Sequence, residues 1–158
     1  MAKKGSGITT VSYDQAVEVA LCFGWIDSQS HSLDSQYYLQ KFSPRRPKSK
    51  WSKVNCTKAE ALIAAGRMQP AGLKQVELAR ADGRWEAAYD PQSTIAIPDD
   101  LQRELDHNPL ARAFFAELNA VNRYAILHRI QDAKKPETRL VRIHKYVDML
   151  ERQEKIYP

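Results

Sequence analysis

Apolar residues recur at intervals of three and four along most of this chain, and only a stretch near its start alternates. Ser12-Tyr13-Asp14-Gln15 opens the first readable element as a capping box, the hydroxyl meeting an exposed amide while Gln15 reaches back. Tyr13, Ala16 or Val17, Ala20 and Phe23 follow at helical spacing, and Gly24 suits the position just past a helix end. Residues 13–23 are therefore expected to form one amphipathic helix with that stripe as its apolar face. Trp25-Ile26-Asp27 is β-prone, and Tyr37 to Phe42 alternates, with Tyr38 and Phe42 on one face and Leu39 and Lys41 on the other. Residues 25–34 and 37–43 are expected to pair as an antiparallel hairpin turning near Asp34-Ser35. Pro44 and Pro47 end it, because each proline removes a ladder donor.

From there the pattern is helical. Ser52, or Thr57 of a second capping box with Glu60, caps a helix running to Ala65, and Gly66 stops it. Pro70 fits the first position of a helix that turns Leu73, Val76 and Ala79 or Arg80 inward and ends at Asp82-Gly83. Residues 84–98 read as an ordered connector, since Trp85, Tyr89, Ile95 and Ile97 are too apolar for a solvated linker. Asp99 or Asp100 opens a short helix through Leu105. Asn108-Pro109 starts another, with Leu110, Phe114 and Leu118 stacked at intervals of four. Asn122 is expected to cap a helix through Ala133 that buries Tyr124, Leu127 and Ile130. Pro136 begins the last, where Leu140, Ile143, Val147 and Leu150 trace a stripe.

These elements predict an α+β protein, a small antiparallel sheet with helices followed by an all-helical C-terminal part. Three segments are expected: a module over 1–68, a helix and connector over 69–98, and a bundle over 99–158 built from the last three helices. Phe114, Tyr124 and His128 are read as packing residues. Arg139, Arg142 and Lys145 are read as a solvated helix face, with Glu137, Asp148 and Glu151 nearby. The longest apolar concentration, around Ala16 to Ile26, is broken by Glu18 and Gly24, so no membrane span is expected. Met1 to Gly7 has lysines but no apolar run behind them, and the expected location is the cytoplasm.

Charge sharpens the picture. Residues 1–68 hold 10 Lys and Arg against 5 Asp and Glu, whereas residues 69–158 hold 14 of each. The formal excess of +5 thus sits in the first part, and from Ser35 to Ala59 there are seven cations and no carboxylate. Such a run attracts an anionic partner: a small molecule, an acidic protein segment or nucleic acid. The candidate binding residues are Arg45, Arg46, Lys48, Ser49, Lys50, Trp51, Ser52 and Asn55, with Asp27 and Asp34 on the hairpin. The competing reading is structural. Asp27 and Asp34 would pair with the arginines and pin the turn to the hairpin, and Trp51 would fill the core.

Several unusual words stand in one order: Ala20-Leu21-Cys22-Phe23-Gly24-Trp25-Ile26-Asp27, Phe42-Ser43-Pro44-Arg45-Arg46-Pro47-Lys48-Ser49-Lys50-Trp51-Ser52-Lys53-Val54-Asn55, Gly66-Arg67-Met68, Asp82-Gly83-Arg84-Trp85, and Lys134-Lys135-Pro136-Glu137-Thr138-Arg139. Together they resemble the YdeI/OmpD-associated family over nearly the whole chain. The resemblance implies a bacterial protein of bacteriocin protection or stress resistance, with no agreed reaction and no established catalytic residues. It also implies a further strand and helix ahead of the Lys3–Gly7 position, without which the sheet would show an open edge. No base–nucleophile spacing or phosphate-binding loop supports catalysis, so a non-enzymatic binding protein is expected, without a cofactor. His31, His107, His128 and His144 lack metal-ligand spacing, and Cys22 and Cys56 are expected as reduced thiols. Ligand, partner and oligomeric state are not set by the sequence.

Overall fold

The computed structural model describes all 158 residues and holds seven helices and one two-stranded sheet. The α+β reading holds, and the C-terminal part is helical. The chain divides into two compact units, Met1–Ala88 and Tyr89–Pro158. No helix is long and apolar enough to cross a membrane.

In the first unit, α1 (Tyr13–Cys22) begins at the expected capping box, with Gln15 N donating to Ser12 Oγ at 3.2 Å and Ser12 N to Gln15 Oε1 at 2.9 Å. The face it buries keeps Val17, one of the two expected alternatives, but not the rest of the expected stripe. Val17, Leu21 and Cys22 point inward, while Phe23 is 53 % exposed and Ala16 and Ala20 are half-buried. Burying Val17 and Leu21 removes more hydrocarbon from water than burying two alanines, and that difference sets the rotation.

The strands β1 (Trp25–Ser32) and β2 (Tyr38–Pro44) pair antiparallel with Trp25 opposite Pro44, Asp27 opposite Phe42 and Ser32 opposite Tyr38. An irregularity between Asp27 and Ser30 puts an extra residue in β1, a bulge that bends the hairpin. Its turn lies where the sequence put it. Asp34 Oδ1 accepts from Gln36 N and Tyr37 N, both at 2.7 Å. The first residues join β2 beside this turn, Tyr38 N donating to Met1 O at 2.9 Å and Lys3 N to Gln36 O at 2.7 Å.

Then come α2 (Lys53–Ala64), capped by Ser52, and α3 (Pro70–Ala81). Thr57 is not the cap; its hydroxyl donates to Lys53 O within α2. α3 meets the end of α1 at Gly72, where an added Cβ would lie 2.3 Å from Cys22 O and 2.7 Å from Leu21 O. Only hydrogen fits there. Gly24, at φ +74°, turns the chain from α1 into β1 against Ala71 O of the same helix.

The second unit wraps residues 89–98 and α4 (Asp99–His107), α5 (Pro109–Glu117) and α6 (Ala120–Gln131) around α7 (Pro136–Glu151). α4 joins the bundle core through the fully buried Leu101 and Leu105, which the reading from three helices left out. On α5 the buried side chains are Ala111 and Phe115 and Leu110 is 63 % exposed, so the helix is turned from the expected stripe, of which Phe114 still packs against the core and Leu118, at the helix end, is buried. Leu140 is likewise exposed, whereas Ile143, Val147 and Leu150 are buried as expected.

Asn122 does not cap α6; Asn119 does, accepting from Asn122 N at 2.9 Å. The Asn122 amide is buried instead and latches the C-terminal tail. Its Oδ1 accepts from Ile156 N at 3.0 Å and Tyr157 N at 2.9 Å, and its Nδ2 donates to Tyr157 O at 3.1 Å. Arg139 and Arg142 are not a solvated face either. Arg139 grips Asp100 with Nε at 2.5 Å and Nη2 at 2.8 Å and donates to Ile130 O, while Arg142 donates to Arg129 O.

Candidate functional site

The basic segment leaves β2 at Pro44 and forms a turn before α2. Arg46 N donates to Ser49 Oγ and Ser49 N to Arg46 O, each at 2.9 Å, which closes the loop in four residues. The two adjacent arginines then part. Arg45 is 6 % exposed, its guanidinium 3.6 Å from the Trp51 ring centroid and its Nη1 donating to Lys50 O at 3.1 Å. Arg46 is exposed, as are Lys48, Lys50, Lys53 and Lys41.

Trp51 is 2 % exposed and packs on Trp85 at 4.9 Å, and Arg80 lies 4.9 Å over the outer side of Trp85. Each ring of the pair thus has a cation against it, an arrangement worth more once desolvated. A third arginine supports the turn from outside. Arg84 Nε is held by Asp82 at 2.8 Å, and its Nη1 donates to Ser49 O at 2.9 Å. The Asp82-Gly83-Arg84-Trp85 word was visible in the sequence, yet nothing in its spacing disclosed that it braces a turn 35 residues upstream. Ser52 is buried as the α2 cap, accepting from Asn55 N at 3.1 Å, and the Asn55 side chain is half-exposed.

The hairpin carboxylates do not pin the arginines. Asp27 accepts the Tyr13 hydroxyl at 2.7 Å, and Asp34 is occupied by its own turn. Burial, then the hydrogen bond to Asp27, raises the Tyr13 phenol above its ordinary range. Beside the stack, burial pushes the Cys56 thiol up to about 11 against partial relief from Arg45, so Cys56 is a poor nucleophile at neutral pH.

Of the ten candidate residues, Arg45, Ser49, Trp51, Ser52, Asp27 and Asp34 have structural partners. Lys50 is exposed but also has partners, its carbonyl accepting from Arg45, while Arg46 and Lys48 form the exposed rim with Asn55 behind it.

Next to this turn lies a feature that sequence reasoning missed. Val11, Ala16, Val19, Ala20, Phe23, Trp25 and Phe42 line an open groove of about 540 Å³ between α1 and the hairpin, and every lining residue is apolar. Of the stripe expected as the apolar face of α1, Ala16, Ala20 and Phe23 line this groove, while Val17 is buried in the core. Groove and turn are continuous: Arg45 N donates to Gly24 O at 3.0 Å, and Trp25 pairs with Pro44.

Fold and site together define a two-unit α+β protein whose first unit presents a braced basic turn beside an apolar groove. Residues 94–153, within the second unit, match the family described as "Bacteriocin-protection, YdeI or OmpD-Associated", so that segment is similar to the YdeI/OmpD-associated family. Residues 1–75 match a different model, described as "Domain of unknown function (DUF8412)". The basic turn therefore lies in that second family's segment rather than in the YdeI/OmpD-associated one. No curated protein and no solved structure matches the chain.

Proposed function

We propose that this is a non-enzymatic binding protein that acts in bacteriocin protection or stress resistance by capturing an acidic partner on its basic turn. The observation that carries the reading is the division of labour between neighbours. Arg45 is spent on holding Trp51, and that fixed stack projects Arg46 and Lys48 into solvent with no carboxylate between Ser35 and Ala59. A preorganised cationic rim of this kind draws anions without a large ordering cost. The match of residues 94–153 to the bacteriocin-protection family supports the protective role. The two cysteines, both buried and unbridged, accord with action in the reducing cytoplasm.

Nucleic acid is the weaker partner. Single-stranded binders stack bases on exposed rings, and here Trp51 is enclosed in the core. The test is a charge reversal, Arg46→Glu with Lys48→Glu, assayed for survival of bacteriocin-treated cells and for binding to poly-glutamate and to duplex DNA. Loss of protection and of poly-glutamate binding, with DNA binding weak in the parent protein, supports the reading. Full protection by the reversed variant overturns it. Tight parent binding to DNA that collapses between about 50 and 200 mM salt would transfer the function to nucleic acid.

A further inference from the structure

The groove beside the turn says what form the acidic partner takes. This step rests on the reading that the turn receives an anion, and it adds the shape and chemistry of what lies next to it. We infer that the groove between α1 and the hairpin receives an amphipathic helix of a partner protein, with its apolar face in the groove and its carboxylates at the Arg46 end.

The walls are apolar throughout, and Val19 of α1, Phe23 at its end and Trp25 of β1 are 54, 53 and 42 % exposed, an unusual amount of large hydrocarbon to leave in water along one groove. Exposed apolar side chains at helical spacing next to a sheet face form the kind of slot that takes anchors at i, i+3 or i+4 and i+7.

Charge orients the occupant. The α1 carboxylates are neutralised within the unit, Asp14 by Lys58 at 3.1 Å and Glu18 by Arg67 at 3.2 Å. Asp27, directly across from the groove residue Phe42, is the acid at one end, and the turn with Arg46 and Lys48 is the base at the other. A helix with glutamates at one end of its apolar stripe matches that polarity in one direction only.

A second copy of the chain fits poorly, because face-to-face pairing would bring two units of like charge together, each carrying 13 Lys and Arg against 8 Asp and Glu over residues 1–88. A membrane surface takes protruding anchors, whereas this surface is concave.

The test uses the full chain and a synthetic helical peptide of about four turns, with leucines at i, i+4, i+7 and i+11 and glutamates at one end. Fluorescence anisotropy of the labelled peptide gives the affinity. The expected result is saturable binding that Val19→Glu or Phe23→Glu weakens tenfold or more with the melting temperature unchanged, since both side chains are exposed. Arg46→Glu should weaken it less and abolish its salt dependence.

A scrambled peptide of the same composition binding equally well would overturn the groove while leaving acid capture by the turn intact. Failure of both the helical peptide and poly-glutamate would overturn both readings together. Binding to vesicles of phosphatidylglycerol and phosphatidylcholine that Val19→Glu abolishes, with no peptide binding, would give the groove to a membrane. A concentration-dependent dimer abolished by the same variant would give it to a second copy. Either result defeats the inference.

Discussion

The first unit carries the whole formal excess of charge, 13 Lys and Arg against 8 Asp and Glu over residues 1–88, and the second, with 11 of each, carries none. Their cores differ as much. The second is a closed aliphatic bundle in which Leu101, Leu105, Ile126, Ile130, Ile143 and Leu150 are almost wholly enclosed. The first buries Val17, Leu21, Leu62, Met68 and Val76 and adds a backbone contact at Gly72 and a cation–ring stack in which Trp51 lies against Arg45 and Trp85. A bundle tolerates substitution by repacking, whereas a core held by backbone contact does not. The lesson is that the unit whose core includes a cation–ring stack bears the candidate site, and one of its paired arginines serves as structure while the other serves as surface.

The sharpest break in this comparison is Gly72→Ala. A methyl 2.3 Å from Cys22 O meets backbone rather than a yielding side chain, so the α1–α3 junction must open, at a cost of about 3 kcal/mol or more. All three tryptophans, Trp25, Trp51 and Trp85, lie in the first unit, so tryptophan emission follows its unfolding alone. The expected outcome is a large fall in the emission melting point while helical circular dichroism keeps a second, unshifted transition. Equal shifts in both signals would show one cooperative structure and erase the contrast.

Next in size is Arg45→Ala. It removes the guanidinium from the Trp51 face and its bond to Lys50 O, and leaves a void in the stack. A loss of about 3 kcal/mol is expected, read as an emission melting point lower by roughly ten to twenty degrees. A change of only a degree or two would mean that Arg45 does not support the turn.

In the second unit the corresponding weak point is Asn122. Asn122→Ala takes the acceptor from Ile156 N and Tyr157 N and opens a small cavity, for an expected cost of about 2 kcal/mol. The tail amides should lose hydrogen-exchange protection before the helices do. Protected tail amides in the variant would refute the latch.

How much of this was legible in the sequence follows from which forces acted locally. Caps, turns and helix boundaries were readable, because Ser12, Ser52, Asn108 and Gly24 act on their own neighbours. Helix rotation was not. The Ala16–Ala20–Phe23 stripe and the Leu110 stripe obey helical spacing as well as the faces that were buried, and only the partners across the core choose between them. Asn122 reads as a cap because asparagine caps helices, yet its role is set by a tail 34 residues away. At the candidate site the basic rim was legible as composition. The fates of Arg45 and Arg46 were not, because they depend on Trp51 meeting Arg84 and Trp85 of a turn more than thirty residues downstream.

Acidity and alkalinity should separate the units further. Hydrogen bonding to Arg139 holds Asp100 below the usual carboxylate range, so its contribution is present above the unfolded value near 4 and is lost as pH falls through the lower, folded one. Asp100→Asn should therefore flatten the acid limb of the helical transition below about pH 4. Cys56 has the opposite sign. Its folded value, up at about 11, means stability present below the thiol's unfolded value and lost as pH rises towards 11. The emission melting point should fall on the alkaline side, and less so in Cys56→Ala. An acid limb unchanged by Asp100→Asn would remove that pair from the account.

The smallest expected effect on stability is the most informative about function. Arg46 is exposed, and the turn uses its backbone N–H and carbonyl rather than its guanidinium. Arg46→Ala should therefore change stability by less than about 0.5 kcal/mol, as substitutions at exposed positions do. Set beside Arg45→Ala it forms an internal control: two adjacent arginines, the same chemical deletion and the same turn, differing only in which way the side chain faces. If the rim captures an acidic partner, Arg46→Ala weakens poly-glutamate binding and reduces protection at an unchanged melting temperature. Arg45→Ala should lose both functions only in proportion to the fraction unfolded, and should recover them on cooling. Equal melting temperatures for the two variants would abolish the distinction between support and surface on which the site is built. A fully protective Arg46→Ala protein would leave the turn standing as scaffold alone.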